Sequence, residues 1–129
     1  PSQAVNQIVK AVEHGVGGEV FIPRLPSFKI LDLIEVLKDY YHSKSQVKVV
    51  GVRPGEKIDE WLINEDECTR AYDFKDGFVI LSQIDQYQKV KYKYLDSQPK
   101  VGFEHYSSRD LLVSKKEINR ILLDNKILK

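Results

Sequence analysis

Twice in its N-terminal part the chain runs from an amphipathic stretch into a short β-branched run, and this alternation confines it to a mixed α/β architecture. Val5, Ile8, Val9 and Val12 recur at i, i+3, i+4 and i+7 behind Ser2, which can cap a helix, and Gly15, Gly17 and Gly18 stop it. One face of that helix is expected to be core. Glu19 to Ile22 (EVFI) then reads as a strand ended by Pro23. Ser27 is expected to cap a second helix that carries Ile30, Leu33, Ile34, Leu37 and Tyr41 on one stripe and closes near His42 or Ser43. Val47 to Val50 (VKVV) reads as a second strand, running straight into the turn-forming Gly51-Val52-Arg53-Pro54-Gly55-Glu56-Lys57.

Beyond that turn the pattern is mixed. A short helical piece is expected around Ile58 to Leu62, an acidic turn at Asn64 to Glu67 and a strand at Phe78 to Leu81. Lys89 to Tyr94 (KVKYKY) alternates charged and apolar residues and fits either an edge strand or a loop. Ser114-Lys115-Lys116-Glu117 has the form of a capping box, with Val113 and Ile118 at the positions of a hydrophobic staple, so a helix should begin at Lys115 and turn Ile118, Ile121 and Leu122 inward. At 129 residues the chain has the length of one domain, residues 1–129.

Composition excludes several classes of partner. Twenty Lys and Arg against nineteen Asp and Glu leave a net charge of +1, which gives no bulk attraction to nucleic acid or anionic lipid. No apolar stretch approaches the ~20 residues of a membrane-spanning helix. The single Cys68 has no partner for a disulfide and no neighbouring ligands for zinc, which fits a reducing, cytoplasmic setting. His14, His42 and His105 stand apart at no metal-ligand spacing, so no metal is expected. The chain starts at Pro1 and contains no methionine, from which an upstream segment is expected to have been removed.

The sharpest chemical feature is Arg53-Pro54-Gly55-Glu56-Lys57 (RPGEK). A guanidinium binds phosphate oxygens through two parallel hydrogen bonds, and a nearby carboxylate accepts from ribose hydroxyls. By spacing alone the same residues also describe a charged surface turn closed by an Arg–Glu ion pair. Gly15 to Gly18 lies after a helix and before a strand, the reverse of a dinucleotide fingerprint, and reads as a helix stop. Tyr40 and Lys44 share the Tyr-x-x-x-Lys spacing of a dehydrogenase pair but sit at a helix end with no cofactor unit before them, so the spacing is read as coincidence. The lysines and tyrosines of residues 89–94 read as a protected edge rather than a nucleic-acid surface. Glu65 to Glu67 read as an acidic first helical turn, and Trp61, the only tryptophan, as core.

Three segments together, GGEVFIPRLPSFKILDL (Gly17 to Leu33), VKVVGVRPGEKIDEWLI (Val47 to Ile63) and YSSRDLLVSKKEI (Tyr106 to Ile118), resemble the C-terminal half of bacterial polysaccharide-biosynthesis proteins that act on UDP-N-acetylglucosamine. Within that group the likeness is to the inverting 4,6-dehydratases. It implies the C-terminal substrate-binding domain of an extended short-chain dehydrogenase fold, its N-terminal NAD(P)-binding Rossmann portion lying outside this chain. By the resemblance, that portion holds NADP and every catalytic residue. Arg53 is then expected at the diphosphate and Glu56 at the uridine ribose, with Lys57 orienting the turn and Arg24 bordering the pocket.

Further implications of the resemblance are a UDP-sugar substrate, an N-terminal Rossmann half as partner, and self-association into a homo-oligomer. Neither nucleic acid nor membrane is expected as a partner. The family reaction removes water from the sugar with inversion at C5, and a sister family with similar C-terminal motifs performs 4-epimerisation instead. A free-standing nucleotide-sugar-binding module without catalysis is the alternative from a different class. If the chain is part of an enzyme, apolar surface on the first helix and the EVFI strand should be left for the Rossmann half to cover.

Overall fold

The computed structural model describes residues 2–89 and 91–128. In chain order the elements are α1 (Ser2–His14), β1 (Val20–Pro23), α2 (Ile30–Tyr40), β2 (Trp61–Ile63), α3 (Glu65–Cys68), β3 (Ala71–Phe74), β4 (Gly77–Ile80), α4 (Asp85–Gln88), a 3-10 turn (Lys93–Leu95), β5 (Tyr106–Ser107) and α5 (Lys115–Asp124). The strands form a three-stranded sheet in the order β1-β4-β3 and a two-stranded sheet of β2 and β5. The chain divides into two compact units, each assembled from two separated stretches: residues 1–24 with 61–106, and residues 25–60 with 107–129.

The first unit is built on the antiparallel β1-β4-β3 sheet, in which Val20 faces Ile80 and Ala71 faces the same residue from the other side. Phe74-Lys75-Asp76-Gly77 supplies the two-residue hairpin between β3 and β4, with Lys75 in the left-handed region at φ 55. Pro23 is the last residue of β1. It is paired opposite Gly77, which an edge strand tolerates because the missing N–H faces no ladder partner. Phe74, Val79 and Leu95 are buried, with Phe21, Tyr72, Leu81, Tyr92 and Tyr94 packed against them. KVKYKY is therefore not a strand: Tyr92 and Tyr94 turn into this core at the 3-10 turn, while Val90 lies outside the described residues. A Cβ at Gly77 would meet the Ile22 carbonyl oxygen at 2.4 Å. Gly77→Ala is accordingly expected to cost about 1–3 kcal/mol, the scale of overpacking against rigid neighbours, measured by urea unfolding.

The Gly15–Gly18 corner is fastened by Glu19. Its carboxylate accepts from the Val16 N–H at 2.8 Å, the Gly17 N–H at 2.6 Å and the Tyr94 hydroxyl at 3.0 Å, while Tyr92 donates to the Gly17 carbonyl. Partial burial pushes the Glu19 carboxyl up, but the backbone donors of Val16, Glu19 and Gly17 and the Tyr94 hydroxyl together hold it below its ordinary value. A depressed carboxyl contributes stability that is fully present above its unfolded pKa and is lost as pH falls through the folded one. Glu19→Gln is thus expected to lower the melting temperature at pH 7, with the gap to the unmodified protein closing as acid protonates Glu19. A gap independent of pH would show that the charge contributes nothing.

The first helix reverses an expectation. Its stripe of Val5, Ile8, Val9 and Val12 is exposed, Val12 to 79%, and Gln7, Lys10, Ala11 and His14 form the half-buried side. In this chain the apolar face is surface, as is Val20 on β1.

In the second unit α2 packs on α5 through Val36, Ile118, Leu122 and Leu128, with Leu33, Leu37, Tyr40 and Val113 around them. Ser114 caps α5 by accepting from the Glu117 N–H at 3.3 Å, and Lys115 pairs with Glu35 of α2. Ser27 does not cap α2. Its backbone is engaged with residues 111–113 in an isolated parallel bridge, donating to the Leu111 carbonyl at 2.9 Å and accepting from the Val113 N–H at 2.8 Å, so the helix starts at Ile30 behind an uncapped Lys29. Val47–Val50 is not a strand either: no ladder engages it among the described residues, and Val49 is 81% exposed. A β-rich run without a partner remains bare backbone.

Candidate functional site

The Arg53–Lys57 turn belongs to the second unit and is held by its own backbone. The Glu56 N–H donates to the Arg53 carbonyl at 3.0 Å, and the Glu56 Oε2 accepts from the Arg53 N–H at 2.9 Å. Pro54 fixes one torsion, and Gly55 takes φ 86, a value that L side chains rarely adopt. The Arg53–Glu56 link is therefore a carboxylate-to-backbone bond, and the side chains of Arg53, Glu56 and Lys57 are all exposed. Two cations and a carboxylate on a pinned turn can recognise a phosphorylated, hydroxyl-bearing ligand.

Fastening follows immediately after the turn. The Ser108 N–H donates to the Glu60 carbonyl at 2.8 Å, the Glu60 N–H donates to the Ser108 Oγ at 3.1 Å, and Arg109 pairs with Asp59 at 2.5 Å. The loop that makes these bonds is itself knitted by Asp110, whose Oδ2 accepts from the Ser107 N–H and hydroxyl at 2.6 and 2.9 Å.

Arg24 stands in the first unit, at the end of β1. Its guanidinium pairs with Asp73 and lies 4.5 Å over the Phe78 ring, so its charge is already engaged. Trp61 is not core: it is 57% exposed and stacks on His105 at 5.1 Å and 13°. It lies in β2 rather than in a helical piece over residues 58–62, because Ile63 of the same strand takes the buried position at 0% exposure. Glu65–Glu67 do form the acidic first turn of a short helix, α3, under a capping box of Asn64 and Glu67.

The Gly15–Gly18 corner does not fit a dinucleotide phosphate. The N–H groups of Val16 and Gly17 are spent on the Glu19 carboxylate, whose negative charge would repel a diphosphate. Burial and the neighbouring Glu67 and Glu65 carboxylates push the Cys68 thiol up, which leaves it a poor nucleophile. Among the described residues there is no group of three potential metal ligands, and no helix is long and apolar enough to cross a membrane.

The chain is a small mixed α/β protein that presents Arg53, Glu56 and Lys57 on a pinned turn and leaves an apolar helix face exposed. The particular family is the polysaccharide biosynthesis proteins, to which this chain belongs, residues 2–82 matching the family's profile. It is similar to the UDP-glucose 4-epimerase of Rickettsia rickettsii, 30% identical over 93% of this chain and 36% of that protein. It is similar also to the UDP-N-acetylglucosamine 4,6-dehydratase (inverting) of Campylobacter jejuni, 35% identical over 62% of this chain and 23% of that protein. A further relative, 38% identical over 61% of this chain and 26% of the relative, is an uncharacterized membrane protein of Methanocaldococcus jannaschii. In structure it matches Pen from Bacillus thuringiensis with a TM-score of 0.78 and 27% identity, covering 98% of this chain and 36% of that one. The chain thus spans about a third or less of the length of these relatives. Sugar-nucleotide dehydratases and epimerases dominate this company, so the family is one of nucleotide-sugar-modifying enzymes.

Proposed function

We propose that this chain is the C-terminal, nucleotide-sugar-binding part of a UDP-N-acetylglucosamine 4,6-dehydratase (inverting) acting in surface polysaccharide biosynthesis. The observation that carries it is the pinned Arg53–Lys57 turn in a chain of this family. Arg53 grips the diphosphate, Glu56 accepts from the ribose with the oxygen not spent on the turn, and Lys57 adds positive charge. Arg24 is a further, weaker substrate contact, because its guanidinium is shared with Asp73. Anchoring the UDP end supplies binding energy that positions the sugar for chemistry elsewhere in the enzyme. Such an enzyme uses NADP as its redox cofactor, held by its Rossmann half.

The exposed stripe of Val5, Ile8, Val9 and Val12 is the surface that such an enzyme's Rossmann half covers. The enzyme is placed in the cytoplasm as a homo-oligomer, with neither nucleic acid nor membrane as partner. UDP-sugar 4-epimerisation is the second reading, favoured by the longer match to the epimerase, 93% of this chain against 62% for the dehydratase. The test is the intact mass of the native protein with its absorbance spectrum. A chain more than twice the 14.9 kDa of this one that carries a nicotinamide chromophore is expected. A native mass near that value without chromophore would leave a binding module in its place.

A further inference from the structure

Residues 51–60 form neither helix nor strand, and both Gly51 and Gly55 take positive φ with open space around them. A segment of this kind is ordered by what grips its ends. The Arg53–Glu56 pair closes the turn upon itself, and its two hydrogen bonds do not reach another element among the described residues. Attachment comes just downstream, where Ser108 and Glu60 exchange two hydrogen bonds and Arg109 pairs with Asp59, whose carboxylate is mostly shielded. The grip is rigid at its source, because Ser107 is buried and Asp110 ties its N–H and hydroxyl.

We infer that the Ser107–Asp110 loop is a clasp that positions the Arg53–Lys57 turn for its ligand, with Arg109 acting through Asp59 as a positioning residue that does not touch the ligand. The inference rests on the reading of that turn as the diphosphate site. It accounts for two charged residues, Asp59 and Arg109, that the ligand-binding set leaves unused. Arranging the turn before the ligand arrives removes part of the ordering cost from binding. A pair whose guanidinium is two-thirds exposed is a weak contributor to global stability, so the loss should appear in affinity and not in unfolding.

The experiment is a calorimetric titration of the native full-length protein with UDP, alongside thermal melts. Arg109→Ala and Asp59→Asn are each expected to weaken UDP about three- to fivefold with melting temperature held within a degree or two. The double variant is expected to be no weaker than either single one. Arg109→Lys, which keeps the charge, and the exchange Asp59→Arg with Arg109→Asp, which restores the pair in reverse, are expected to recover most of the affinity. Additive losses, or failure of the exchanged pair to recover, would assign Arg109 to direct contact and overturn the clasp. Unchanged affinity in Arg109→Ala while Arg53→Ala weakens UDP also overturns it. Unchanged affinity in Arg53→Ala removes the site reading on which the clasp rests.

Discussion

Replacing Arg53 by alanine in the native protein is expected to weaken UDP-N-acetylglucosamine by about 2–4 kcal/mol, roughly thirty- to a thousandfold, read by calorimetry. The size follows from what is lost: a two-pronged donor to phosphate that no neighbour can replace, since a lysine is a point charge without the planar fork. The turn should survive the change. Glu56 bonds to the backbone N–H of residue 53 and not to the guanidinium, so the alanine variant keeps the bonds at 2.9 and 3.0 Å that close the turn. Affinity should therefore fall with the fold intact, and Arg53→Lys should recover a part of it. Raised salt should narrow the difference, because a partly exposed charge is screened. An unchanged dissociation constant would take Arg53 out of the pocket.

The second large effect falls on stability. Ile118→Ala is expected to cost about 2–5 kcal/mol in urea unfolding, the range for truncating a fully buried aliphatic side chain. Ile118 is 1% exposed and is one of four buried residues that hold α2 against α5. With so few participants, the remaining residues have little with which to fill the cavity. Leu123→Ala on the exposed side of the same helix serves as the control and should stay within about half a kcal/mol. Equal losses at both positions would mean that the α2–α5 core is not where the helix pair derives its stability.

What was legible in the sequence was local and periodic. The α5 boundary follows from Ser114 and Glu117, because a cap is written in adjacent residues, and the acidic run at 65–67 proved to be the first helical turn under Asn64. The α2 stripe was legible only in part: Leu33 and Leu37 pack on the core, but Ile30 and Tyr41 are exposed and the buried residue is Val36, which the stripe omitted. Its beginning was hidden as well, since the bridge between Ser27 and Leu112 joins residues far apart in the chain. Long-range pairing also explains the failures among strands. VKVV has the composition of a strand and no partner, whereas Trp61–Ile63 has one in β5 and so is a strand where a helical piece was expected. The β3 strand, Ala71–Phe74, went unseen despite its signal, an Asp76-Gly77 pair between two runs of apolar residues.

At residues 53–57 the turn was legible, since proline, glycine and charge stand together over five positions. Its bonding was not. The expected alternative of an Arg–Glu ion pair gave way to a carboxylate on backbone, a distinction that only geometry makes. The clasp was out of reach for the same reason as the bridges, since Asp59 and Arg109 meet across fifty residues of chain. The helix face at Val5 to Val12 shows the limit of periodicity itself: the stripe marks a face to be covered, and not which molecule or segment covers it.

The most direct test of the central claim is to incubate the native full-length protein with UDP-N-acetylglucosamine and NADP and to analyse the sugar nucleotide by mass spectrometry and NMR. The expected product is lighter by one water, with a 4-keto, 6-deoxy sugar inverted at C5. A product of unchanged mass epimerised at C4 would move the chain to the sister reaction while keeping its role. Unaltered substrate, together with no measurable binding of UDP, would contradict the account.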